Sequence, residues 1–263
     1  MTSEELREEL SKLPEPIRIF QQMFWGTFSR WGMIYSFKRV FNTLKDDRFT
    51  KILDEDEAYV KRFAIEEEYK DFFLVDRKTL IEQGLFDDIA LKMSTKTMNE
   101  SEVVSCTALL VFAHSILEVF IMEALEISAK HKPEDWEEYL GSRNIKVDFC
   151  DIKNYDSLLK VLIIKELLRL KNESINIRMN RVLAVYQPLS GKMGEFEYDN
   201  TRLKKIDEAR HDIVHRRRPL QELGINQLDK EIEFIEEICK WLVLLVHKRY
   251  GLQCDLRFRP LFI

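Results

Sequence analysis

From Asp207 the chain reads Asp-Glu-Ala-Arg-His-Asp-Ile-Val-His-Arg-Arg-Arg-Pro, ending at Pro219. Histidine titrates near neutrality and can take or give a proton. Arginine keeps its charge and grips phosphate oxygens through parallel N–H donors. His211, His215 and Arg210, followed by Arg216, Arg217 and Arg218, therefore supply parts for phosphoryl transfer. From Asn200 to Arg218 seven Lys or Arg, Lys204 and Lys205 among them, stand against three acids, in a chain of net charge −5. A cationic patch on an acidic chain predicts a local anionic ligand, phosphate first. Arginines gathered at a helix C-terminus to complement its dipole would give the same pattern.

The segment reads as a helix starting near Asn200, with Asp199 or Asn200 able to cap its first turn. Pro219 lacks a donor and restricts Arg218, so the helix should stop shortly before it. At about 100° per residue, Leu203, Ile206, Ile213 and Val214 share one face, and Arg210 falls in its middle. A guanidinium there needs an anionic or carbonyl partner, or a cleft. Asp207, His211 and His215, spaced by four, fall on the other side. That spacing also admits a transition metal, but it lacks the glutamate of a His-Glu-x-x-His site, and no fourth ligand is evident. No metal and no cofactor are expected.

Arg210-x4-His215, within the run Arg-His-Asp-Ile-Val-His-Arg, resembles the R-x4–6-H motif of the HEPN superfamily. The resemblance covers roughly residues 101–250. It implies an all-α bundle and, in many members, metal-independent ribonuclease activity in bacterial defence or toxin–antitoxin systems. It also implies an RNA substrate, a homodimer with the active site at its interface, and an antitoxin or defence-system partner protein. On this reading His215 is the acid/base group and Arg210 stabilises a pentavalent phosphorane. His211 and Asp212 tune or orient them, while Arg216, Arg217, Arg218, Lys204 and Lys205 hold RNA. Arg210 and His215 point about 140° apart on a straight helix, so an unwound helix end or a second copy must bring them together. The resemblance further suggests a polar residue on the early core helix, and Glu118 is expected to pair with or orient Arg210. An ordinary Glu118–His114 pair on an exposed strip is the alternative. The superfamily also has non-catalytic members, so a nucleotide-binding or protein-interaction module is the rival function.

The remaining chain must position these residues. Apolar residues make up 45% and charged residues 33% of 263, with only eight Gly and six Pro, a profile of helical globular proteins. Cys106, Cys150, Cys239 and Cys254 are scattered and read as reduced thiols. The chain opens with acids and no secretory leader pattern. The apolar stretch from Trp241 to Val246 is far too short to span a bilayer. A cytoplasmic protein without membrane attachment is expected.

Residues 1–100 read as a helical accessory region. A helix over 3–12 is capped by Thr2 or Ser3, and an aromatic helix from Ile17 to Leu44 follows. Phe20, Phe24, Phe28, Trp31 and Tyr35 step by three or four along it, which is core spacing more often than a base-stacking surface. Asp76 is a candidate cap for a further helix. Residues 94–101 read as a linker and mark the boundary of a domain over 101–250. That domain starts with an apolar helix over 102–130. Helices over 156–171, from Ile177 to Tyr186 and over 227–249 flank the motif. Residues 145–152 read as extended, and Gln187 to Tyr198 as a loop. Arg178, Arg181 and Lys171 either extend a basic groove or, more commonly, lie on solvated surface. Residues 251–263 form a tail that packs as an arm, with another subunit as one possible support.

Overall fold

The computed structural model describes residues 2–55, 86–141, 145–146, 154–186, 199–216 and 225–261. Among the described residues the fold is all-α, without strands. The helices are α1 (Ser3–Lys12), α2 (Glu15–Glu55), α3 (Phe86–His131), α4 (Glu137–Gly141), α5 (Tyr155–Leu170), α6 (Ile175–Val185), α7 (Asn200–Arg216) and α8 (Ile225–Tyr250). A 3-10 turn, Pro133–Trp136, leads into α4, and another, Leu256–Leu261, closes the described chain.

Local chemistry explains the starts and stops. Thr2 Oγ1 accepts from the Glu5 N–H while the Glu5 carboxylate accepts from the Thr2 N–H, a reciprocal cap for α1. Asn154 and Ser157 do the same for α5. Asp199 caps α7 by accepting from the Arg202 N–H at 2.9 Å. Gly251 ends α8 at φ 67°, and its N–H returns to the His247 carbonyl.

Helix α3 is the axis. Ala113, Leu117, Phe120, Ile121, Ala124, Leu125 and Ile127 are all fully buried on it, and α2, α6, α7 and α8 pack around it. Its other side is not covered: Val104, Phe112 and Val119 are exposed. The stretch Val103–His131 is long and apolar enough to cross a membrane, but it is this core helix, with 56% of its most apolar window buried.

Two placements differ from expectation. Helix α3 runs unbroken through residues 94–101, where a linker was expected. The Ser, Thr, Lys and Asn of that stretch are compatible with helix, and weak helix formers do not end one without a Pro or a capping turn. The N-terminal region also shares the main core: Phe20, Met23, Trp31 and Ile34 of α2 pack with α3 and α8 residues. Arg30 forks onto Glu123 of α3 at 2.9 and 2.7 Å and lies over the Phe120 ring. Of the aromatic series, Phe28 and Tyr35 are exposed.

The tail folds on its own chain. Gln21 receives the Asp255 N–H and donates to the Gln253 carbonyl, while Phe258 packs with Leu6 and Leu10. The extended reading of 145–152, the loop from Gln187 to Tyr198 and the cap at Asp76 fall wholly or mainly outside the described residues.

Candidate functional site

Helix α7 is pinned at its start. Leu203 and Ile206 are buried in the core. Arg202 reaches α8, where it meets the Glu231 carboxylate at 2.9 Å and the Lys230 carbonyl at 2.7 Å and covers the Phe234 ring. This anchorage fixes the rotation of α7 and hence where its charged residues point.

One turn on, Asp207 turns inward rather than to the outer side with the histidines. Its Oδ1 lies 2.9 Å from Nε2 of His114 on α3. Ser174 caps α6 by position but makes no side-chain cap bond. The hydrogen bond from His114 is the main influence holding the Asp207 carboxyl below its ordinary value; burial opposes it, and the Ile175 N–H and Arg210 reinforce it. His114 is fully buried, so it is not on an exposed strip. Its Nδ1 lies 3.9 Å from the Glu118 carboxylate and has no hydrogen-bond partner among the described residues.

Glu118 lies one turn along α3 and has nitrogen groups on three sides. Besides His114, it has Arg178 Nη2 at 3.4 Å and Arg210 Nη2 at 3.9 Å. Arg210 thus has the nearby carboxylate its place on an apolar face requires, at a separation too long for a hydrogen bond. Its Nε is buried and unpartnered among the described residues.

These groups border a cavity of about 650 Å³ between α3, the turn joining α5 to α6, and α7. A nucleotide-sized ligand fits that volume range. Its lining includes three cations, Lys171, Arg178 and Arg210, and five carboxylates, Glu118, Glu173, Asp207, Glu208 and Asp212. Most of the acids are engaged: Glu173 pairs with Arg169, Glu208 lies 3.8 Å from Lys204, and Asp207 and Glu118 are bound as above.

No family model, no curated protein and no solved structure matches this chain.

The structure places Arg210, His211, Asp212 and Glu118 around this single cavity. His215 does not line it. Its ring lies against that of His211, with centroids 4.4 Å apart, and both imidazoles are exposed. Lys204 and Lys205 are exposed on α7, away from the cavity lining. Arg216 is the last residue of α7, and Arg217 and Arg218 lie outside the described residues. Among the described residues no group of three or more His, Cys, Asp or Glu is placed to hold a metal ion.

Arg178 and Arg181 are not solvated surface: both are buried. Arg178 donates to the Glu173 carbonyl at 2.9 Å and the Lys171 carbonyl at 3.0 Å, tying down the turn before α6. Arg181 lies 3.6 Å from the buried Glu166 and over the Tyr139 ring. The signal was present in the sequence. Both arginines fall on the α6 face that carries Ile175, Met179, Val182 and Val185, the same apolar-face argument that singles out Arg210.

Proposed function

We propose that this chain is a HEPN-like, metal-independent endoribonuclease that works as a homodimer. The observation that carries the reading is the grouping of two exposed imidazoles, 4.4 Å apart, beside a guanidinium that borders a nucleotide-sized cavity. One imidazole removes the proton from an RNA 2′-OH, and the 2′-oxygen attacks the adjacent phosphorus. The other protonates the departing 5′-oxygen, leaving a 2′,3′-cyclic phosphate and a free 5′-OH. Arg210 stabilises the charge that develops on the phosphorane oxygens.

The arrangement favours His211 as a partner of His215 rather than as a bystander, because His211 is the histidine at the cavity. The resemblance of Arg210-x4-His215 to the superfamily motif adds the dimer, in which a second copy supplies its own pair. Val214, 44% exposed between Ile213 and His215, offers that copy an apolar contact. An RNA substrate, a defence or growth-arrest role and an antitoxin or defence-system partner follow from the resemblance alone.

A second reading is a non-catalytic nucleotide-binding or interaction module, and the excess of carboxylates over cations in the lining favours its interaction form, because that lining opposes a polyanion. Cleavage of RNA in excess EDTA separates the two. Wild type should cleave, and Arg210→Ala, His211→Ala and His215→Ala should lose turnover while keeping their thermal unfolding midpoints. A wild type that binds RNA without cutting it favours the module.

A further inference from the structure

Two arginines share one carboxylate beside the cavity, and they differ in how firmly they are held. Arg178 is 9% exposed and fixed by two backbone carbonyls as well as by Glu118 at 3.4 Å. Arg210 stands off from the same carboxylate at 3.9 Å, with its buried Nε unpartnered among the described residues. We propose that Arg178 is a positioning residue: it retains Glu118 so that Arg210 is free to take the phosphate of a phosphate ester entering the cavity.

The argument is one of charge pairing. A phosphate accepts readily from guanidinium N–H groups, and Arg210 leaves its Nη2 weakly used, at 3.9 Å from Glu118. With Arg178 in place, two guanidiniums face two anions, Glu118 and the phosphate. Without it, Arg210 alone would stand between both, and the two anions would repel each other in a partly desolvated site. The other lining acids do not add to that repulsion in full, because Asp207, Glu173 and Glu208 each have a cationic or N–H partner. Among the described lining residues there is no Phe, Tyr or Trp, and His211 is the one aromatic ring a base could meet. The ligand class is a phosphate ester, recognised through its phosphate.

This rests on Arg210 as a phosphate ligand, not on the phosphate being cleaved. The test is titration of the full-length protein with inorganic phosphate by calorimetry. Arg178→Met should weaken binding about tenfold relative to wild type, and Glu118→Gln in the same chain should restore it to within about threefold. Glu118→Gln alone should tighten binding, because the competing charge is gone while an acceptor oxygen still aims Arg210. Arg210→Met should abolish binding. A purely structural role for Arg178 predicts no second-site rescue. The proposal is overturned if folded Arg178→Met binds as wild type does, if the double variant stays as weak as Arg178→Met, or if wild type binds no phosphate. Should Arg178→Met fail to fold, Glu118→Gln decides: weaker binding than wild type overturns the proposal. RNA cleavage assayed in parallel keeps the two readings apart. The phosphate pattern without cleavage removes the ribonuclease alone, and cleavage with a flat phosphate pattern removes the role of Arg178 alone.

Discussion

Replacing Asp207 by alanine should destabilise the fold more than an ordinary surface change, and the structure sets the size. The Asp207 carboxylate has His114 Nε2 as its hydrogen-bond partner, at 2.9 Å. His114 is fully buried, and its Nδ1 already lacks a partner among the described residues. Losing Asp207 would strand the second ring nitrogen, at about 1–3 kcal/mol for a buried unsatisfied donor. The expected cost is thus about 1–3 kcal/mol. Asp207→Asn keeps one acceptor oxygen and should recover about half of it. Urea unfolding at pH 7 measures all three proteins.

The pH dependence carries a sign. Folding holds the Asp207 carboxyl below its ordinary value of 3.8, so its contribution is present above that pH and fades as pH falls through the folded value. The gap between wild type and Asp207→Asn should therefore narrow below about pH 4. An Asp207→Ala cost under about 0.5 kcal/mol, or Asn as damaging as Ala, would refute the account of a carboxylate that satisfies the buried His114.

Three further outcomes follow from the packing. Gly251→Ala should cost about 1–2 kcal/mol, because φ 67° strains an L side chain although space is open there; thermal unfolding with calorimetric enthalpy reads it. Arg202→Met should cost about 1–3 kcal/mol by loss of the Glu231 ion pair, the Lys230 carbonyl bond and the cover on Phe234, with chemical unfolding as the check. Phe258→Ala should empty the small cluster with Leu6 and Leu10 and expose the C-terminal segment to limited proteolysis, while the main core keeps its unfolding midpoint.

The helices were legible because their signals are local. Period, caps and breakers place α1, α5, α6 and α8 within a residue or two of where the chain's own pattern puts them. Arg210 was legible too, since a guanidinium amid Leu203, Ile206 and Ile213 demands a partner. The partner network was harder to read. His114 meets Asp207 across 93 residues of sequence, and which helix rotation brings them together depends on the packing of α3 against α7, not on either segment. The same holds for Arg178, whose apolar neighbours marked it as inward-facing while its charge favoured the commoner surface reading. The expected linker over 94–101 failed for another reason: polar composition describes solvent exposure, and a long helix tolerates a polar stretch. The pairing of His211 with His215, rather than of His215 with Arg210, follows from a continuous α7, which sets residues four apart side by side and residues five apart well around the helix.

The most direct test is end-group analysis of RNA incubated with the protein in excess EDTA, wild type beside Arg210→Ala, His211→Ala and His215→Ala. The account predicts fragments ending in 2′,3′-cyclic phosphate with wild type alone. Fragments with 3′-hydroxyl ends, cleavage that survives in Arg210→Ala, or no cleavage by wild type at all would contradict it.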